Sequence, residues 1–178
     1  MNKAFTKEED GSGPQRLPDL PISPHPNHVT PRGMAQLQAR AEALEAEIAR
    51  LRDNVDYLAD GYPLAVAERD LRYVEARLAS AILVAPPDGP VSHVSFGATV
   101  EVVDENGAAA RYTIVGEDES DPGQHLIAAF SPLARALMEA RVGDVVEWPK
   151  PTGTVDLEVT AIWFDASAEL TGPRPPAQ

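Results

Sequence analysis

The sequence predicts an α+β protein, built as an N-terminal antiparallel coiled-coil hairpin followed by a small antiparallel sheet domain with one short helix. Two periodicities carry this reading. Leucines and small apolar residues recur every seven positions between Met34 and Ala81, and apolar residues alternate with polar ones from Ala98 onward. The third observation is the run Ala85-Pro86-Pro87-Asp88-Gly89-Pro90 between them, which fits neither a helix interior nor a central strand. The corresponding segments are a disordered leader over 1–29, the hairpin over 30–84, a linker over 85–95, the sheet domain over 96–167 and a disordered tail over 168–178.

The leader segment Gly11–His28 holds prolines at 14, 18, 21, 24 and 26, and reads as a mobile stretch. Thr30 then offers an N-cap oxygen with Pro31 in the first helical position, where a missing N–H costs nothing. Two ladders follow, Leu37/Leu44/Leu51/Leu58 and Met34/Ala41/Ile48/Val55, predicting a helix over 31–58. Gly61 and Pro63 interrupt it, and the pattern resumes as Leu64/Leu71/Leu78 and Ala67/Val74/Ala81. The simplest arrangement is a hairpin with its tip at 59–62, whose arms of roughly 42 and 28 Å seal both ladders between them. Because the seams are buried within one chain, a monomer is expected.

Beyond the linker, Ala98–Val103 and Ala109–Val115 alternate as strands about the turn Asp104-Glu-Asn-Gly107. A short strand at His125–Ala129 and a helix over Pro132–Ala140, capped by Ser131, come next. Val145–Trp148 and Val155–Trp163 complete an antiparallel sheet of four or five strands, with Val155, Leu157, Val159 and Ala161 facing one side. Leu133, Ala136, Leu137, Trp163 and Phe164 are the expected core.

Composition removes several classes of function. Fifteen Lys and Arg against 28 Asp and Glu give a net charge of −13, which disfavours autonomous binding to a DNA backbone. Without a cysteine there is no disulfide, thiolate nucleophile or Cys-based zinc site, and the histidines at 25, 28, 93 and 125 lack a paired ligand spacing. No signal-peptide pattern and no run of 18 apolar residues occurs, so the expectation is a cytoplasmic protein without a membrane role.

The block Phe130-Ser-Pro-Leu-Ala-Arg-Ala-Leu-Met-Glu-Ala-Arg-Val-Gly-Asp144, with Phe96-Gly97 and Tyr112-Thr-Ile-Val-Gly-Glu-Asp-Glu119 before it, resembles the C-terminal domain of the GreA/GreB transcript cleavage factors. The opening MNKAFTKE, the proline-rich stretch and Thr30-Pro-Arg-Gly33 resemble the start of GreB-type proteins. That resemblance implies a hairpin entering the secondary channel of bacterial RNA polymerase and an FKBP-like domain docking at the channel rim. It also implies tip carboxylates that help hold Mg²⁺ and a water for cleavage of backtracked RNA, near the nascent RNA 3′ end. No tightly bound cofactor is implied, only Mg²⁺ shared with the polymerase.

Hard oxygen ligands are what Mg²⁺ requires, and a carboxylate can orient an attacking water. The family's tip pattern resembles G-D-x-x-E-N-x-x-Y, and this chain lacks it. The nearest string, Arg50-Leu-Arg-Asp53-Asn54-Val-Asp56-Tyr57, places Asp53 on the family's Glu and a cation, Arg50, on its Asp. The heptad register instead puts Asp53 and Asp56 on the helix side and only Asp60 on the tip loop. Asp53, Asp56 and Asp60 are therefore the candidate catalytic residues, with Asp56 and Asp60 as candidate metal ligands; solvated surface acids are the alternative. Candidate polymerase contacts are Tyr57, Tyr62, Arg50 and Arg52 near the tip, and Phe130, Ser131, Pro132 and Arg135 in the sheet domain. The arginines along the hairpin, including Arg40, Arg69, Arg72 and Arg77, equally suit i,i+4 pairing on a solvated face.

The leading reading is thus a GreB-like factor that binds RNA polymerase through the secondary channel and modulates elongation, with or without stimulated RNA cleavage. A cleavage-inactive competitor of Gre factors is the second reading, because the acidic pair is missing. A prolyl isomerase would need Phe96, Tyr112, Phe130, Trp148 and Trp163 to line one open pocket, and a generic coiled-coil module would fail to bind core polymerase. In none of these does the chain act as an independent enzyme except in the isomerase case.

Overall fold

A computed structural model describes residues 16–53 and 61–164, and these separate into two compact units. One unit comprises Ala39–Arg77 with the chain up to Ser23; the other comprises Pro24–Gln38 and the chain from Leu78 onward.

The helices come from the heptad segment. Helix α1 spans Pro31–Asp53 and helix α2 spans Tyr62–Ser80. Arg50 and Arg52 lie in the last described turn of α1, where positive charge is favourable against the helix dipole. In the first unit Ile48, Leu51 and Ala67 are buried together, with Leu44, Leu64 and Leu71 packed around them. These are ladder positions from both helices, so the apolar stripe that the period implies is the one removed from water. Arg52 Nη2 donates to Glu68 Oε1 at 2.7 Å beside this seam. Arg77 departs from the surface position expected of it: it is 1% exposed.

The prolines of the leader do not keep it off the fold. Arg72 of α2 donates through Nε to Asp19 Oδ1 at 2.6 Å and through Nη2 to the Leu17 carbonyl at 2.9 Å. In the second unit His28–Val29 forms strand β1, paired in parallel with β2 at Ile82–Leu83. The Ile82 amide donates to the Asn27 carbonyl at 2.8 Å and the Val84 amide to the Val29 carbonyl at 2.9 Å, while Val29 is 2% exposed. Reading residues 1–29 as a mobile leader therefore fails for 24–29. A proline removes one amide donor but no carbonyl; the Asn27 and Val29 carbonyls remain available as acceptors, and the partner segment supplies the donors through the Ile82 and Val84 amides.

The sheet has the order β5-β4-β3-β7-β6, with β3 at Thr99–Asp104, β4 at Ala109–Val115, β5 at Leu126–Ala128, β6 at Val145–Lys150 and β7 at Gly153–Trp163. The β3–β4 hairpin is closed by Asp104, whose Oδ1 accepts from the amides of Asn106 and Ala108, and by Gly107 at φ +81°. Its neighbour β5 pairs with β4 in parallel, so the sheet is mixed rather than wholly antiparallel. Two 3₁₀ turns, Glu117–Glu119 and Pro122–Gln124, carry the chain from β4 to β5 in the direction that permits this.

Helix α3, Pro132–Leu137, begins as expected, with the Ser131 hydroxyl accepting from the Ala134 amide at 3.2 Å and Pro132 in the first turn. It ends at Leu137, three residues earlier than the sequence suggests. Glu139 takes φ +68°, which sends its amide to the Val94 carbonyl, and Val94 in turn donates to Ala140. Leu133, Ala134 and Leu137 enter the core with Val94, Val100, Val102, Ile114 and Val159.

Two expected core residues are elsewhere: Ala136 is half-buried and Ala134 takes its place in the core, and Trp163 lies on the other side of the sheet. The register of β3 on β7 shifts between Glu101↔Ala161 and Val102↔Val159, leaving Thr160 as an extra residue. Such a bulge reverses side-chain alternation beyond it. Ile162 and Phe164 consequently pack on the core, and Trp163 turns to the opposite face, where the Arg111 guanidinium lies 5.7 Å from its ring centroid.

Candidate functional site

The candidate residues near the helix ends divide into two groups. Asp53 ends α1 and is exposed; Tyr62 begins α2 and is 54% exposed. Asp56, Tyr57 and Asp60 lie outside the described residues. Arg50 is held by Glu47 one turn back, at 2.6 Å, and Arg52 by Glu68. Arg69 pairs with Asp70 at 2.7 Å, so these arginines are engaged by local acids rather than presented as bare cations. Arg40 is exposed.

A divalent ion needs several oxygen donors converging within about 2.0–2.6 Å of one point. Of the three candidate acids only Asp53 is described, Arg50 lies three residues before it, and the described residues contain no cluster of three His, Cys, Asp or Glu side chains fit to hold a metal. The described part of the chain does not build a magnesium site of its own.

In the sheet domain the Phe130–Arg135 segment has a definite surface. Ser131 is consumed by capping, while Pro132 and Arg135 are exposed. Phe130 carries a partner that its sequence neighbourhood does not announce: the His25 imidazole stacks on it with centroids 4.0 Å apart and planes 15° apart. The face of Phe130 is therefore shared with a residue from the proline-rich segment. The five aromatics that an isomerase pocket would need are not gathered. Tyr112 and Trp148 meet edge-on at 6.1 Å on the core side of the sheet, and Trp163 lies on the other side.

One buried, fully bonded carboxylate was passed over by sequence reasoning. Glu119 is buried, its side chain only 3% exposed, and both carboxylate oxygens are used. Thr30 Oγ1 donates to Oε2 at 2.6 Å, and Arg32 Nε donates to Oε1 at 2.7 Å. The same Thr30 oxygen accepts from the Gly33 amide at 2.9 Å, so the N-cap of α1 and the carboxylate share one hydroxyl. Thr30-Pro-Arg-Gly33 and Gly116-Glu-Asp-Glu119 stand out as separate strings in the sequence, and the fold brings them together across 89 positions.

Carboxylates elsewhere have their affinity for protons set by local donors. The Arg111 guanidinium beside Glu101 holds that carboxyl below its ordinary value, as the Arg72 guanidinium does for Asp19 and the Ala108 amide for Asp104. Burial pushes the Tyr112 phenol up. In each of the three carboxyls the leading partner is a guanidinium or an amide, not another acid as in a catalytic pair.

Comparison with known proteins identifies relatives of the chain. The family described as "Transcription elongation factor, GreA/GreB, C-term" matches residues 89–164, the sheet domain. A transcription elongation factor GreA of Nitratidesulfovibrio vulgaris is 34% identical over 134 residues, covering 75% of this chain and 82% of that protein. A transcription elongation factor GreB of Haemophilus ducreyi is 32% identical over 116 residues, or 65% of this chain and 72% of that one. Among solved structures, a GreA/GreB elongation factor from Nitrosomonas europaea is 24% identical and covers 77% of this chain and 98% of that chain, with a TM-score of 0.39.

Proposed function

The chain belongs to the GreA/GreB family of transcription elongation factors, and from that premise we propose that it binds bacterial RNA polymerase through the secondary channel and modulates elongation from there. In this reading the paired helices act as an antiparallel coiled-coil hairpin and the sheet domain as an FKBP-like module that docks at the channel rim. The observation that carries it is the conjunction on one chain of the family's sheet domain with two helices sealed by Ile48, Leu51 and Ala67. A two-helix rod is narrow enough, at about 10–12 Å per helix, to enter a channel closed to a globular domain.

Docking falls to the exposed part of the Phe130–Arg135 segment, with Pro132 and Arg135 meeting the polymerase and Ser131 shaping the turn. Near the rod's end, Tyr62, Arg50 and Arg52 are the contacts and Asp53, Asp56 and Asp60 the acids available to the polymerase active centre. Magnesium, if shared there, belongs to the polymerase; the role left to this chain is to deliver carboxylates and exclude or orient water.

A second reading has its own observation. In the register that sets Asp53 on the family's Glu, Arg50 falls on the family's Asp, and Arg50 Nη2 donates to Glu47 Oε1 at 2.6 Å. A cation at that point opposes a divalent ion, which favours a cleavage-inactive factor competing with authentic Gre proteins for the channel.

The deciding experiment is RNA cleavage in a defined backtracked elongation complex with Mg²⁺, comparing the intact protein with Asp53→Asn, Asp56→Asn and Asp60→Asn, alongside binding to core polymerase. Shortening of the RNA from its 3′ end, lost in one variant that still binds, identifies a cleavage factor and its acid. Binding that displaces an authentic cleavage factor without cutting identifies the competitor. No binding to core polymerase overturns the proposal and leaves a generic coiled-coil module.

A further inference from the structure

The strings Thr30-Pro-Arg-Gly33 and Gly116-Glu-Asp-Glu119 have no part in docking or in the chemistry of the acids, yet the fold spends its most buried carboxylate on joining them. Every member of the junction is constrained. A Cβ on Gly33 would lie 2.6 Å from Glu119 Oε2, so glycine is what lets the carboxylate reach the first turn of α1. The 3₁₀ turn that presents Glu119 is itself closed by the Glu119 amide donating to the Gly116 carbonyl at 3.2 Å. Gly116 in turn abuts β1, where a Cβ would lie 2.6 Å from the His28 carbonyl oxygen. Ordering a charged group at 3% exposure is unfavourable unless each oxygen is bonded, and here each is, by a hydroxyl and by a guanidinium.

We propose that Glu119 is a positioning residue of this factor: by binding the capping threonine and Arg32 it holds the root of α1 on the sheet domain and so sets the direction in which that helix leaves it. The inference rests on the polymerase reading above for its functional consequence. α1 runs without a break from Pro31 to Asp53. Over such a helix, roughly 34 Å long, a tilt of about 10° at the root displaces the far end by about 6 Å. A catalytic or contact group misplaced by as little as about 1 Å can lose about 100-fold in effect, so a defect at the root is felt at the end.

The test compares Glu119→Gln and Thr30→Val, which remove the charge and the hydroxyl with little change of shape, and Thr30→Ser, which keeps the hydroxyl. Polymerase affinity and the maximal effect on elongation at saturating factor are measured separately. Expected is affinity within about 3-fold of the parent but a maximal effect reduced about 10-fold or more in Glu119→Gln and Thr30→Val. Thr30→Ser should keep the parental maximum, and the double variant should be no worse than either single one. A variant whose full effect returns on raising its concentration has lost only affinity or stability, and that overturns the proposal.

A second readout does not involve polymerase. The chain has no cysteine, so spin labels on Ala46→Cys and Asp156→Cys, both exposed sites, report one distance distribution. A shift or broadening by about 5 Å in Glu119→Gln supports positioning, and an unchanged distribution refutes it even where polymerase is bound. If the intact protein binds no polymerase while the distribution still changes, the functional reading fails and the positioning role stands.

Discussion

Replacing Gly116 by alanine tests how the proline-rich segment is held. Gly116 has φ −67°, a conformation open to any residue, so the substitution brings no backbone strain of its own. What it brings is a methyl group 2.6 Å from the His28 carbonyl oxygen and 3.7 Å from the Val29 Cα. Real Cβ atoms essentially never come within 3.0 Å of another heavy atom in this way, and the obstacle is backbone, so no rotamer change relieves it. The chain at His28–Val29 must retreat by about 0.4 Å or more, which strains the Ile82→Asn27 and Val84→Val29 hydrogen bonds of 2.8 and 2.9 Å. Overpacking of this kind costs about 1–3 kcal/mol. Because the chain forms two units, a global melt is a poor measure, and amide hydrogen exchange at Ile82 and Val84 is the direct one. A local cost of about 2 kcal/mol accelerates exchange of those two amides roughly 30-fold. Gly61→Ala, where an added Cβ meets nothing within 4 Å, serves as the control and leaves them unchanged. Unaltered protection in Gly116→Ala would show that β1 is not seated against the 116 backbone, and the account of the ordered leader would be wrong.

Leu137→Ala removes a side chain with no exposure from the sheet–helix core and is expected to destabilise the sheet domain by about 2–5 kcal/mol, read from denaturant curves of near-ultraviolet circular dichroism. Deleting Thr160 removes the extra residue and leaves the Glu101↔Ala161 and Val102↔Val159 pairs adjacent, so plain alternation keeps Ile162 on the core and Trp163 on the opposite face; quenching of Trp163 fluorescence by iodide, compared in a Trp148→Phe background, should stay at the parental level, and a fall in quenching would deny that Thr160 is the bulged residue. Asp104 has its carboxyl lowered from 3.8, first by the Ala108 amide, so its contribution to the β3–β4 turn is complete above that ordinary value and disappears as pH falls through the lowered one. Nuclear magnetic resonance titration of the Ala108 amide should show it released only in that acidic range, and release near neutral pH would contradict the assignment.

Local rules are what the amino-acid order determined. Heptad spacing implied a helix over 31–58 and a second whose ladders run from Leu64 to Ala81, of which Pro31–Asp53 and Tyr62–Ser80 are described as helix; Thr30 and Ser131 each preceded a proline in a first helical turn, and Asp104 to Gly107 specified a hairpin, because each of these is a relation among residues within a few positions. The same order supplied the motifs by which the family is recognised. Tertiary structure decided whatever depends on residues far apart. A proline-rich stretch reads as mobile until Ile82 and Val84 donate to it, and one extra residue at Thr160 exchanges the faces of Ile162 and Trp163 without any sign in the alternation before it. Glu119 looks like one more acid in a run of three; only the approach of Thr30, Arg32 and Gly33, almost ninety positions earlier, converts it from a solvated charge to a buried and fully bonded one. Periodicity reports which face of an element is apolar, but the partner that covers that face, or that bonds a charge placed upon it, is chosen when the elements meet.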